Sequence, residues 1–201
     1  MTTSVTFEAL QRAGIGAYFR PRDLEPLGVT YYQLRRMVAD GRAELVGHGL
    51  YRLTATDLHE METIAMAASA VPHAIVCLLS ALRVHEIGTQ SPWQVWMAID
   101  RKARKPTRLP TSVRIIRFSG PMLTYGVETM SILGVPVRIT SPARTVVDCF
   151  RYRNKIGLDV AMEALRDAVR SHKAHVSEID RAAEVCRVGT VMAPYLAGLS
   201  V

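Results

Sequence analysis

The chain has 201 residues, with 25 Lys and Arg against 18 Asp and Glu, a formal charge of +7, and a hydrophobic share of 49%. That length holds one domain or two small ones around a real core, and the composition excludes a disordered or collagen-like chain. No apolar run approaches the ~20 residues of a membrane span. The first residues lack the basic and apolar regions of a signal peptide, and Cys77, Cys149 and Cys186 lie too far apart for a disulfide framework, so a cytoplasmic protein with reduced thiols is expected.

The opening residues predict small helices followed by a hairpin. Phe7, Leu10 and Gln11 keep helical spacing up to the break at Gly14 to Gly16. Arg22 to Leu27 reads as a short second helix, limited by Pro26 and closed by Gly28. Thr30 opens a third, because Thr30 and Gln33 stand at the spacing of a capping box. Leu34, Met37 and Val38 form its buried stripe, and Asp40-Gly41 ends it. Two alternating runs, Ala43 to Val46 and Leu50 to Leu53, flank the turn Gly47-His48-Gly49 and signal a β-hairpin.

Helices followed by a hairpin within about 50 residues give the order of a winged helix-turn-helix, whose third helix enters the major groove and whose hairpin is the wing. With the stripe turned inward, Tyr32, Gln33, Arg35 and Arg36 face outward beside the cap Thr30, while Tyr31 is expected half-buried. His48 sits at the wing tip, with Arg42 and Arg52 on its arms. These groups can read base edges or hold phosphates. The plain alternative is that they form the wet face of an amphipathic helix in a protein-interaction module.

Past Thr54 the pattern changes to an α+β unit. A Met- and Ala-rich helix is expected from His59 to Ala70, a short apolar run at Ala74 to Cys77, and a helix from Ser80 to His85. Strands are expected at Gln94 to Ile99 and Ser112 to Phe118, joined by a proline-punctuated basic connection, Arg101 to Pro110. Two more, Tyr125 to Ile132 and Val135 to Thr140, meet at Leu133-Gly134. Ser141 as N-cap with Pro142 at the first helical position starts a helix through Phe150. Helices follow at Leu158 to Val169 and from Ser177 to near Val188, with a loosely held tail beyond Gly189. The division expected is a winged helix at residues 1–55 and a mixed α/β domain at 56–201.

The charge is concentrated. Residues 1–60 carry seven basic and seven acidic side chains, whereas 81–117 carry eight basic and two acidic. Arg101, Lys102, Arg104, Lys105 and Arg108 form the strip, which favours an anionic partner such as nucleic acid or is a solvated loop. No phosphate-binding glycine motif, zinc-ligand spacing or nucleophile elbow is present, and no cofactor or metal is expected. His172 and His175 read as helix C-terminal cations. Glu86, Asp100 and Lys102 have the residue types of a Mg²⁺-dependent nuclease, two carboxylates for the ion and a lysine for the attacking water.

The stretch DLEPLGVTYYQLRRMVADGRAELVGHGLYRL, with Leu34, Met37, Gly41, Gly49 and Tyr51 at its marked positions, resembles the winged helix of AbiEi-type antitoxins of type IV abortive-infection toxin–antitoxin systems. The segment VRITSPARTVVDCF adds Pro142, Arg144, Thr145 and Asp148 on that family's Pro-x-Arg-Thr-x-x-Asp pattern. The resemblance implies a bacterial, non-enzymatic repressor of its own operon that binds inverted repeats in double-stranded DNA, with an antitoxin role against a nucleotidyltransferase-like toxin. Arg144 and Asp148, four apart on a helix, are expected to pair as scaffold for a few tenths of a kcal/mol.

Overall fold

The computed structural model of the chain describes residues 10, 12–47, 49–54 and 60–198. It is a mixed α/β structure in two compact units. One unit comprises the described residues up to Pro72 together with 106–112 and 130–137; the other comprises 73–105, 113–129 and 138 onward.

In the first unit a short strand β1 (Tyr18–Phe19) precedes helix α1 (Pro21–Leu24), which runs into a 3₁₀ turn (Glu25–Leu27). Gly28 closes that turn in the left-handed region and donates its N–H to the Glu25 carbonyl, as a C′ glycine should. Helix α2 (Tyr31–Ala39) follows, then β2 (Ala43–Gly47) and β3 (Leu50–Leu53), then α3 (Glu62–Ala70). The three strands form one antiparallel sheet in the order β1-β3-β2. Strand β1 is too short to show any alternation. It exists because Phe19 pairs with Tyr51 across the sheet and stacks on its ring at 5.9 Å between centroids. The expected helix at Phe7, Leu10 and Gln11 falls mostly outside the described residues. Leu10 itself is buried with Phe19, Leu24, Val29, Leu34, Met37, Ala43, Tyr51 and Leu53 in one apolar cluster.

Two positions on α2 depart from expectation. Val38 is 36% exposed rather than buried, because the chain turns back at Gly41 and the Arg42 N–H bonds to the Met37 carbonyl, covering Met37 and leaving Val38 at the margin. Tyr31 is 62% exposed rather than half-buried, since it opens the helix with no preceding turn to cover it.

A five-stranded sheet has the order β6-β5-β4-β8-β7, from β4 (Ile75–Val76), β5 (Val95–Asp100), β6 (Val113–Phe118), β7 (Val127–Ile132) and β8 (Val135–Thr140). Strands β4, β5, β6 and the outer ends of β7 and β8 belong to the second unit, and residues 130–137 with the β7–β8 turn to the first. Strand β5 runs parallel to β6 in the register Val95 to Val113 through Asp100 to Phe118, β4 is antiparallel to β5, and β4 is parallel to β8. The basic connection is therefore a crossover between parallel neighbours made without a helix. The helices are α4 (Leu78–Val84), α5 (Pro142–Arg151), α6 (Arg153–Ile156), α7 (Leu158–Arg170), α8 (Val176–Val185) and α9 (Gly189–Ala197).

Helix α5 is the centre of this unit, with every residue from Ala143 to Phe150 buried. Ser141 caps it and Pro142 occupies its first turn, as expected. Helix α9 corrects the expected loose tail: Met192 and Leu196 are buried and join the main core. Its apolar composition carries little period-3.6 signal, so only packing reveals it. His175 also differs from expectation. It is the N-cap of α8, closed by Glu178, rather than a cation at a helix C-terminus. All three cysteines are free and buried, and burial pushes the Cys77 and Cys149 thiols well up. Among the described residues no helix is long and apolar enough to cross a membrane.

Candidate nucleic-acid interface

The interface is built from the start of α2. Thr30 is extended and its hydroxyl oxygen accepts the Gln33 N–H at 3.3 Å. The Gln33 side-chain oxygen accepts in return from the Thr30 N–H at 2.7 Å and from its hydroxyl at 3.0 Å. This satisfies donors that the first turn leaves without helical partners. It also commits the Gln33 amide oxygen, so the capping role and the outward-reader role expected of Gln33 compete for the same atom. Removing the cap as Thr30→Ala is expected to cost about 1 kcal/mol of stability, read as a lower urea midpoint with an unchanged slope.

Beyond the cap, α2 presents Tyr31, Tyr32, Arg35 and Arg36 to solvent, with Tyr32 at 72% exposure. The Tyr31 phenol hydrogen-bonds to Tyr51, and burial together with Tyr31 pushes the Tyr51 hydroxyl up. Asp40 at the end of the helix holds both neighbouring cations, Arg36 at 4.0 Å and Arg42 at 2.9 Å. These are exposed pairs, which hold little energy and open readily to a competing anion.

The hairpin separates its expected contacts. His48 lies outside the described residues. Arg52 stands directly across from Glu44 in the β2–β3 register and is 3.0 Å from that carboxylate and 3.0 Å from Glu62, with its side chain only 17% exposed. Glu62 also accepts the Tyr18 hydroxyl at 2.7 Å, and burial and that carboxylate push the Tyr18 phenol up. Arg52 therefore sits among compensating carboxylates inside the first unit. The cross-strand position of Glu44 was readable from the hairpin; the arrival of Glu62 on α3 was not.

All five cations of the strip, Arg101, Lys102, Arg104, Lys105 and Arg108, are exposed. The strip starts from a fixed turn: the Asp100 carboxylate accepts the Lys102 N–H at 2.7 Å, and the Arg117 guanidinium donates to the carbonyls of Asp100 and Ala103. Asp100 thus serves the turn, and Glu86 is held by the Lys173 ammonium at 3.1 Å. Among the described residues no group of three His, Cys, Asp or Glu side chains is gathered so as to hold a metal ion.

Arg144, Thr145 and Asp148 are buried on α5, and Pro142 is half-buried at its start. The Arg144 guanidinium donates to Asp148 at 2.9 Å, to the Met122 carbonyl at 3.2 Å and to the Tyr125 carbonyl, and its plane lies 5.2 Å from the Phe118 ring. Thr145 donates to the Thr140 carbonyl, which also accepts from His85 Nε2 at 2.7 Å, so that ring nitrogen carries the proton. The pair is scaffold, as expected. The expected few tenths of a kcal/mol needs correction, because both side chains are fully buried and removing one partner of such a pair costs several times more.

The capped helix, its exposed tyrosines and the hairpin lie in a segment that resembles a known protein family. Residues 8–54 match the AbiEi antitoxin family of transcriptional regulators. The match runs through β1, α1, α2 and the hairpin to Thr54. No curated protein matches the chain. That family is described as transcriptional regulators and antitoxins, and the match covers less than half of the chain.

Proposed function

We propose that the chain is a DNA-binding repressor of its own operon that also acts as an antitoxin against a nucleotidyltransferase-like toxin. In this reading the first unit is a winged helix-turn-helix, α2 enters the major groove of an inverted-repeat operator, and the protein works by binding, without a catalytic step. The observation that carries it is the exposed face of α2 inside the AbiEi-type segment: the phenols of Tyr31 and Tyr32 in its first turn and the guanidiniums of Arg35 and Arg36 beyond it face water on the helix that such domains present to bases.

Residues 1–60 have no net charge, so this segment alone supplies weak non-specific affinity and a further source of phosphate neutralisation is called for. We assign it to the exposed strip. The test is a salt titration of binding to the DNA immediately upstream of the coding region. Replacing Arg101, Lys102, Arg104 and Lys105 together by alanine is expected to flatten the slope of log K against log salt by about 0.9 per lost phosphate contact. An unchanged slope would remove the strip from the interface. No binding to the upstream DNA at any salt would sink the repressor reading, and Mg²⁺-dependent cleavage lost in Asp100→Ala would replace it with a nuclease. Rescue of growth when the chain is co-expressed with the product of the adjoining reading frame tests the antitoxin role.

A further inference from the structure

Of the polar groups at the start of α2, fewer are free to read bases than the sequence offers. The Gln33 amide oxygen is held twice by Thr30. The Tyr31 phenol is tied to Tyr51, and Arg36 leans on Asp40. Two exposed side chains on the outer face remain without a hydrogen bond or ion pair among the described residues, Tyr32 and Arg35, the latter within electrostatic reach of the Tyr51 hydroxyl but not bonded to it. They stand three apart on the helix and so share a face, separated by about 4.5 Å along the axis at 1.5 Å per residue. Stacked base pairs are about 3.4 Å apart, so the two side chains address neighbouring base pairs, or pairs one step removed.

The two groups differ in what they can read. An arginine donates two parallel hydrogen bonds to the O6 and N7 of guanine, whereas a ring edge packs on the 5-methyl group that marks thymine in the major groove. The amide that would read adenine through N6 and N7 is the one taken by the cap. Resting on the DNA-binding reading above, we infer that the half-site recognised by this chain is a thymine next to, or one step from, a guanine, with the ring of Tyr32 on the thymine methyl and Arg35 on the guanine. Tyr31, fixed to Tyr51, is a positioning residue that holds the first turn of α2 against β3. The phenol oxygen of Tyr32 is not needed for this contact.

The experiment starts from duplexes of random sequence, selected by binding to the full chain at one fixed salt concentration. The selected duplex is then remade with uracil for each thymine in turn and with 7-deazaguanine for each guanine. At one thymine, loss of the methyl is expected to weaken binding five- to tenfold, and Tyr32→Ala is expected to cost a similar factor that does not multiply with it. Tyr32→Phe should bind within about twofold of the parent, because the ring is retained. At a guanine one or two steps away, 7-deazaguanine and Arg35→Ala should show the same redundancy, each costing roughly tenfold or more. Both residues are exposed, so thermal melting should be unchanged in all three variants.

Penalties that multiply, or a duplex indifferent to uracil at every position, overturn the inference while leaving DNA binding in place. Loss in Tyr32→Phe equal to that in Tyr32→Ala also overturns it, moving the contact to the hydroxyl. Failure to select any duplex overturns the DNA-binding reading itself.

Discussion

Arg144→Met is expected to destabilise the second unit by about 3–5 kcal/mol at neutral pH, the range for removing one partner of a buried ion pair. Methionine fills much of the volume but supplies none of the donors. The Met122 carbonyl and one oxygen of Asp148 lose their partner in the buried interior, and the Tyr125 carbonyl loses it where the bond is part-buried. Urea unfolding followed by circular dichroism measures it, and a change under 1 kcal/mol would refute the account of α5 as the unit's keystone.

The acid dependence gives a second handle on the same pair. Burial outweighs the attraction of Arg144 and pushes the Asp148 carboxyl up to about 6, against about 3.9 in an unfolded chain. Its contribution to stability is therefore fully present below about pH 4 and is lost as the pH rises through about 6. His85 works in the other direction. Burial lowers its basicity, so its contribution is present above about pH 6.5, the unfolded value, and fades as the pH falls through the lowered one. Once Asp148 is protonated in the parent as well, the guanidinium matters less, so the penalty of Arg144→Met should shrink between pH 7 and pH 5. A penalty that grows on acidification would mean the carboxyl stays ionised in the core.

Gly134→Ala should cost the first unit about 2–4 kcal/mol, from left-handed strain and overpacking together. Leu133 and Gly134 both have positive φ, at 52° and 74°, as a two-residue hairpin turn of the primed kind requires. A Cβ on Gly134 would lie 2.8 Å from the Gly16 Cα, and one on Gly16 would lie 2.5 Å from the Gly134 carbonyl carbon. The approach is backbone on backbone, secured by the Ala17 N–H on the Leu133 carbonyl at 2.8 Å. No side chain can swing aside to relieve the clash. Gly14 provides the control: its φ is also positive, at 79°, but a Cβ there meets nothing within 4 Å. Gly14→Ala should thus show the conformational cost alone, about 1–2 kcal/mol. Equal losses at the two positions would mean that the contact contributes nothing. The Gly16→Ala, Gly134→Ala double variant should lose less than the sum, since either methyl group already forces the same two backbones apart.

What could be read from the sequence was what neighbouring residues decide among themselves. The Thr30–Gln33 box, the Gly28 stop, the Ser141-Pro142 start, the hairpin at Ala43 to Leu53 and the strands on either side of the basic strip are interactions over one to ten residues, and each stands close to its expected place. The exposed positions of α2 followed from its 3.6-residue period, except at its two ends, where neighbouring chain decides what is covered. Tertiary structure decided everything that depends on a distant partner. Strand β1 exists because β3 is beside it, and α9 is fixed by packing that its own composition does not announce. Arg52, on β3, changes from a candidate phosphate ligand to a compensated charge because Glu62 comes to it from α3. Arg144 and Asp148 could be paired from their spacing, but the worth of that pair depends on whether water reaches it. Burial multiplies electrostatic and desolvation energies several-fold, and burial belongs to the assembled chain rather than to any stretch of it.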